Sequence, residues 1–468
     1  MKRIWPASIH PAVIAVVFCG CYCLAQKPVD RSAIDSYLGP YIRTGNFSGQ
    51  VLIERDKKVV FQKVYGFADR EHQVLNTSAT RFHIASMSMQ YTAAAILRLV
   101  DKGTISLDLP VGTLVPKIPG AEKITIRDLL TEQSGLPDIN DLPDYNEVLQ
   151  HHQTPASLVA KISGRPLLFE PGSKFLHEEH SAYNLLALIV EKETSLSFAA
   201  ALHALIFKPL HLSNTGADDD SSTSGRTMAK GYQPDGVSGL KPATQIHWSG
   251  KTGNASIFTT ASDHARWVDA LLADRLLKPA SREAIFDESQ RVGYGWFRRH
   301  QKRFNQTTYS MNGRAPGFAS FLLYLPQDKT TVVVFSNIYS SATTNIGYDL
   351  AALALGLPYE RFRPSDPAPS ASELQTCAGA FKFGPDFYQP NAEVIIRANE
   401  RELSMGWPSG DVSPLIPTGR DHFIDRSYWE DFSIERDAAG HPTAIVYGEF
   451  RGNAVTRKGS NQSVVFLP

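Results

Sequence analysis

Cysteine is nearly missing from this chain. Four occur in 468 residues; Cys19, Cys21 and Cys23 crowd the first 25 positions, which leaves Cys377 alone afterwards. A lone thiol excludes an intramolecular disulfide there, and in an apolar β context it reads as a core filler. Excess charge of either sign is missing too, since 47 Lys and Arg balance 47 Asp and Glu. No net field draws the chain to nucleic acid or to an anionic membrane surface, so partners of those classes are not expected. No internal repeat is visible. No apolar run is long enough to span a bilayer, because the stretch from Ala12 to Cys19 stops well short of about 20 residues.

What is present begins with a leader. Met1-Lys2-Arg3 supplies a positive start, Ala12 to Cys19 an apolar centre and Cys23-Leu24-Ala25 a small-residue exit. Residues 1–25 are therefore expected to be a signal peptide cleaved near Ala25, which places the protein in the periplasm or outside the cell. Lipid attachment at Cys21 is the lesser alternative, because bulky Phe18 fits a lipoprotein box poorly.

Residues 50–67 alternate apolar and polar around Arg55-Asp56-Lys57-Lys58, a hairpin signature. Helical patterning comes next at 87–102, closed by Gly103, then at 126–133, 181–194 and 262–273, the last with Ser262 or Asp263 as its expected cap. Strands are expected at 304–311, 318–325 and 330–336. The economical architecture for 30–358 is α/β in the α+β sense: an antiparallel sheet flanked by helices, with a helical insert. Proline and small polar residues from Arg363 to Ser370 make 359–372 a linker. Beyond it, 373–468 read as short alternating strands without a helix, a second β domain.

The segment from Phe82 to Ala95 carries the chemistry. A strand-like entry and a small turn lead to Ser86, which opens an alanine-rich helix. Position 89 lies one turn on, on the same helix face. A lysine there could take the serine proton, but the residue is Met89, whose thioether is a weak acceptor. Ser88 points away and cannot substitute.

This segment resembles the Ser-x-x-Lys element of the serine β-lactamase and penicillin-binding-protein superfamily, and more closely its class C-like branch of esterases, D-amino-acid peptidases and lactamase-related proteins. The likeness runs over about residues 33–357. It includes Phe47-Ser48-Gly49-Gln50, Asp128-Leu129-Leu130-Thr131, Ser134-Gly135-Leu136-Pro137, Phe169-Glu170-Pro171-Gly172, Tyr183-Asn184-Leu185-Leu186 and Ala315-Pro316-Gly317-Phe318. By the same resemblance, 373–468 look like the small lipocalin-like β-barrel that relatives append, often over the mouth of the site.

The resemblance implies three chemical stations, and all three are altered. The first keeps Ser86 and has Met89 for lysine. The second should hold a Tyr-x-Asn element, but the chain reads His177-Glu178-Glu179-His180, and neither register of this stretch retains the tyrosine. The third should hold a basic triplet on a strand, where Met311-Asn312-Gly313 keeps only the glycine. Lys251-Thr252-Gly253 mimics that triplet, but the stretch from Ile257 to Asp263 just after it matches a loop-to-helix segment upstream of the catalytic strand, so it reads as fortuitous. Glu132 stands where relatives often have histidine, a structural departure. The oxyanion hole needs only backbone N–H groups, and those of Ser86 and Arg314 are its expected donors.

Several readings of these residues stay open. His177, Glu178, Glu179 and His180 form a solvated loop at the cleft rim, a replacement Ser-His-Glu set for Ser86, or a metal site. Ser86 itself serves as a helix N-cap or as a nucleophile. Met89 and Met311 fill the space left by lost basic side chains. The favoured reading is a protein with no cofactor and no metal that binds a small-molecule or peptide ligand in the cleft (a peptidoglycan stem, a D-amino-acid peptide or an acyl ester) without ordinary turnover. Its rival is a working esterase, amidase or peptidase that pairs Ser86 with a base from 177–180. Oligomeric state is open.

Overall fold

The computed structural model describes residues 29–176, 180–217, 228–290 and 292–455. The expected leader lies outside the described residues. Seven antiparallel strands form the central sheet: β1 (Gly49–Arg55), β2 (Lys58–Tyr65), β3 (Val292–Gly293), β4 (Trp296–Gln301), β5 (Gln306–Ala315), β6 (Phe318–Leu325) and β7 (Thr330–Ser336). Their order is β3-β4-β5-β6-β7-β1-β2, so the N-terminal hairpin closes one side of a sheet built mostly from the far end of the domain.

Side chains alternate across this sheet with period two, and both faces are covered. Val51, Ile53, Phe321, Leu323, Val332 and Val334 pack with Ile34 and Leu38 of helix α1 (Arg31–Arg43) and with Ile346 and Leu350 of a C-terminal helix. Leu52, Leu322, Val333 and Phe335 face the other way, into a larger cluster. That cluster is filled by helices α2 (Ser88–Asp101), α3 (His180–Thr194) and α4 (Ala261–Leu272), while α5 (Ala342–Leu355) is the helix that covers the first face. A strand buried on both faces reads as continuous apolar sequence, as β7 does from Val332 to Phe335.

Two local details differ from the sequence expectation. Helix α4 is capped by Thr260, whose extended backbone lets its hydroxyl accept from the Asp263 N–H; Ser262 and Asp263 are already inside the helix. A short helix, Ala371–Gln375, precedes the barrel where strands alone were expected, because Ser370 and Glu373 form a reciprocal capping box.

The remaining strands are β8 (Gly379–Lys382), β9 (Glu393–Ala398), β10 (Leu403–Gly406), β11 (Val412–Gly419), β12 (His422–Asp425), β13 (Glu430–Arg436), β14 (Pro442–Tyr447) and β15 (Phe450–Ala454). They run up and down in sequence order, and β15 returns to pair with β8 through Phe381 and Ala454, closing a barrel. Val394, Leu403, Leu415, Phe432 and Ile445 fill it, and Cys377 is buried in the same cluster.

One side chain of the β12–β13 turn fastens the barrel to the larger domain. Arg426 is fully buried and donates to the Asn46 side chain at 2.7 Å and to the carbonyls of Gly45 at 2.9 Å and Gly239 at 2.7 Å. Burial draws its guanidinium down to about 10, so it is still a cation at neutral pH. Its neighbour Trp429 packs on Tyr41 and Phe362. Arg426→Ala strands several buried carbonyls without a donor and should lower unfolding stability by about 3 kcal/mol, read as a fall in the denaturant midpoint. A change at exposed Tyr388 should move that midpoint far less.

Buried Glu54 on β1 makes a second constraint visible. Burial, a hydrogen bond with Asp269 and the charge of Asp269 push its carboxyl up to about 8. A carboxyl that holds its proton more tightly when folded stabilises the fold in acid and loses that contribution as pH rises towards the folded value. Stability should therefore fall between about pH 5 and pH 8, and Glu54→Gln should flatten that slope in a pH series of thermal melts.

Candidate active-site cleft

The site is built on a strained turn. Phe82 and His83 pair with Thr259 and Phe258, and the Ile84 N–H continues the ladder to the Ile257 carbonyl at 3.0 Å. Ala85 then adopts a left-handed backbone, φ 48°, which costs a residue with a Cβ about 1–2 kcal/mol. A 3₁₀ turn, Ala85–Met87, comes next and leads into α2. No side chain caps this turn or α2, so the Ser86 hydroxyl is not the N-cap that one sequence reading allowed. Ser88 does point away, accepting the Ile257 N–H at 3.0 Å.

Strand β5 is pressed against the turn. Pairing with β4 ends at Ser310, so residues 311–315 present their edge to Ser86. A Cβ on Gly313 would sit 2.3 Å from the Ile84 carbonyl oxygen and 2.9 Å from the Ser86 nitrogen, so only glycine fits. From β6, the Ser320 hydroxyl donates to the same Ile84 carbonyl at 2.7 Å. Behind this contact Met89 and Met311 are buried in one core cluster.

Ser86 opens into a cleft of about 470 Å³. Of the residues singled out from sequence, Ser86, His180, Asn312 and Arg314 line it; His177, Glu178 and Glu179 lie outside the described residues. His180 opens α3, and both its backbone N–H and its Nδ1 meet Asp138 Oδ2, at 3.0 and 2.9 Å. The Asn140 amide nitrogen lies 2.9 Å from the same Nδ1 and 3.4 Å from Nε2. Burial alone would raise the Asp138 carboxyl, but the charge and hydrogen bonds of His180 outweigh it and hold the group below the usual carboxylate range.

Lys251 reaches the cleft from outside strand β5, so its tripeptide is not the strand triplet of the family pattern. The tripeptide that reads as fortuitous lies at the end of a 3₁₀ turn, Trp248–Lys251, and brings Lys251 to the cleft wall, nine-tenths buried. Its amine donates to the Tyr145 hydroxyl at 3.0 Å. No described residue hydrogen-bonds the Ser86 hydroxyl, so neither Lys251 nor His180 holds it in this state. Asn254 also lines the cleft; it is fully buried, and among the described residues its side-chain amide has no partner.

The barrel supplies part of the wall. Arg314 on β5 is held from the β12–β13 turn: its guanidinium donates to the Ser427 carbonyl at 2.8 Å and lies between the Tyr339 and Tyr428 rings, 4.3 and 4.1 Å from their centroids. Asp425 holds that turn by accepting the N–H groups of Ser427 and Tyr428. His83 stacks on Trp248 at 3.5 Å, within an aromatic group that includes Phe258 and Phe318, and so serves packing. Among the described residues no three or more His, Cys, Asp or Glu side chains are placed to hold a metal ion.

Sequence reasoning missed Asp138, Asn140, Tyr145, Asn254, Tyr339 and Tyr428. Asp138 sits directly after the Ser134-Gly135-Leu136-Pro137 landmark, a signal that could have drawn attention to it; Asn140 and Tyr145 come from short helical turns, the others from loops or the barrel, and none carries a telling spacing.

Comparison with known proteins agrees with this geometry. The Beta-lactamase family profile matches residues 34–356. A putative penicillin-binding protein, PbpX of Bacillus subtilis, is 28% identical over 322 residues, which cover 68% of this chain and 76% of that one. The octameric penicillin-binding-protein homologue from Pyrococcus abyssi superposes with a TM-score of 0.64 at 20% identity, over 90% of this chain and 99% of that one. A D-amino-acid amidase from Ochrobactrum anthropi gives 0.60 at 20% identity, covering 69% and 97%. These two structural likenesses speak for the fold alone. With its serine turn, its facing strand edge and a profile match across most of its length, the chain belongs to the Beta-lactamase family.

Proposed function

We propose that this protein, exported by its leader, binds an acyl-bearing ligand in the Ser86 cleft and that its serine chemistry is strongly impaired. The names of its relatives, penicillin-binding protein and D-amino-acid amidase, suggest the ligand class: a peptidoglycan stem, a D-amino-acid peptide or a related acyl ester. One observation carries the reading. The Ser86 turn and the strand edge facing it are intact, yet the hydroxyl has no hydrogen-bonded base among the described residues, and buried Met89 stands one turn along its helix. The unpartnered Asn254 amide supports binding, because a buried amide facing a cleft is satisfied when a ligand arrives.

The His180–Asp138 pair favours a second reading. An imidazole hydrogen-bonded to a carboxylate and lining the same cleft as the serine is the group that a working hydrolase would use as base in its neutral form. It differs from the Ser-His-Glu set drawn from sequence in taking Asp138 as the orienting group.

A fluorophosphonate probe separates the two. Wild type should label slowly, Ser86→Ala not at all, and Met89→Lys about 100-fold faster than wild type, since general-base assistance is worth about two to four orders of magnitude. Rapid stoichiometric labelling of wild type that is abolished in Asp138→Asn and His180→Ala contradicts impairment and establishes the second reading.

A further inference from the structure

Aromatic side chains gather at one end of the barrel, beside its core. In a barrel whose strands run up and down in sequence order, alternate connections share one end. The β8–β9, β10–β11, β12–β13 and β14–β15 connections therefore lie together. Phe387 forms a buried floor there, stacked 3.8 Å from Phe383 and nearly parallel to Trp407 at 6.2 Å. Above it the rings come to the surface: Tyr388 is 65% exposed and Tyr428 43%, while Trp407 and Phe450 are half-buried. Tyr388 meets Phe450 at 4.9 Å, and Trp407 meets Tyr428 at 5.5 Å. Tyr428 is itself a wall of the Ser86 cleft. The rings thus form a path that begins inside the cleft and ends on open surface.

Charge and shape select what lies on this path. The four connections carry Asp386, Asp411 and Glu449; their one basic residue, Arg426, is fully buried in the domain contact. An acidic rim repels phospholipid headgroups and nucleic acid. An alkyl chain laid on rings this exposed would keep much of its own surface in water, because apolar ligands gain most when enclosed. A pyranose ring fits better. Its C–H face stacks on an aromatic ring, while its hydroxyl edge stays in water beside exposed Gln389, Asn391, Ser409 and Asp411.

We propose that Tyr388, Trp407 and Tyr428 form a subsite for neutral pyranose rings, so that the ligand of the cleft is joined to a glycan. The subsite deepens the cleft-binding reading and rests on it only for placing the rest of the ligand beside Ser86.

The test uses the full chain with a β-1,4-linked N-acetylglucosamine tetramer, monitored by calorimetry and tryptophan fluorescence. Wild type should bind the tetramer, and Tyr388→Ala, a surface change that leaves the fold intact, should weaken binding about 10-fold. Anionic phospholipid vesicles should not bind. The proposal is overturned by a wild type that ignores the tetramer, by unchanged affinity in Tyr388→Ala, or by vesicle binding that Tyr388→Ala abolishes. A D-alanyl-D-alanine peptide titrated in parallel keeps the two claims apart. Peptide binding without tetramer binding overturns the subsite and leaves the cleft reading standing; tetramer binding without peptide binding does the reverse.

Discussion

The close approach of Gly313 to the Ser86 turn is the contact on which the rest depends. It brings two backbones together where no side chain fits, with the Ser320 hydroxyl bonded to the Ile84 carbonyl. It also explains how Ala85 is kept in a left-handed conformation: the ladder to Ile257 on one side and the strand edge on the other over-determine the turn. A serine carried on such a turn is placed without help from any particular base. The scaffold around Ser86 therefore does not depend on a basic side chain at position 89, where Met89 is buried.

The lining of the cleft is drawn from several distant segments. Met89 and Met311 take core positions, and the polar groups of the cleft arrive from elsewhere: His180 with Asp138, Lys251 with Tyr145, and Arg314 held by the barrel turn. Each of these groups is already hydrogen-bonded to another protein group and none to Ser86. Because Tyr428 and Ser427 belong to the barrel and Arg426 anchors it, one wall of the cleft is a domain contact. Loosening that contact would disturb Arg314, which sits on the strand facing the serine.

Much of the fold was legible in the sequence because it is written in short periods. The hairpin around Asp56, the helices near 87, 181 and 262 and the late strands each declare themselves within a dozen residues, as does the alternation of the barrel. The cap of α4 is ambiguous in sequence because Thr260, Ser262 and Asp263 all favour caps, and only backbone geometry chooses Thr260. Of the site, Ser86, Met89 and Gly313 were legible because they are local landmarks. Lys251 reads as fortuitous, and Tyr145 and Tyr428 give no signal, because the residues that share the cleft with Ser86 come from distant segments. No spacing along the chain encodes that meeting.

The most direct measurement of the central claim is a calorimetric titration of wild type and Ser86→Ala with a D-alanyl-D-alanine peptide, with the products of the same mixtures identified by mass spectrometry. The account predicts equal affinity in the two proteins and intact peptide throughout. Release of D-alanine by wild type at turnover rates, abolished in Ser86→Ala, would contradict it.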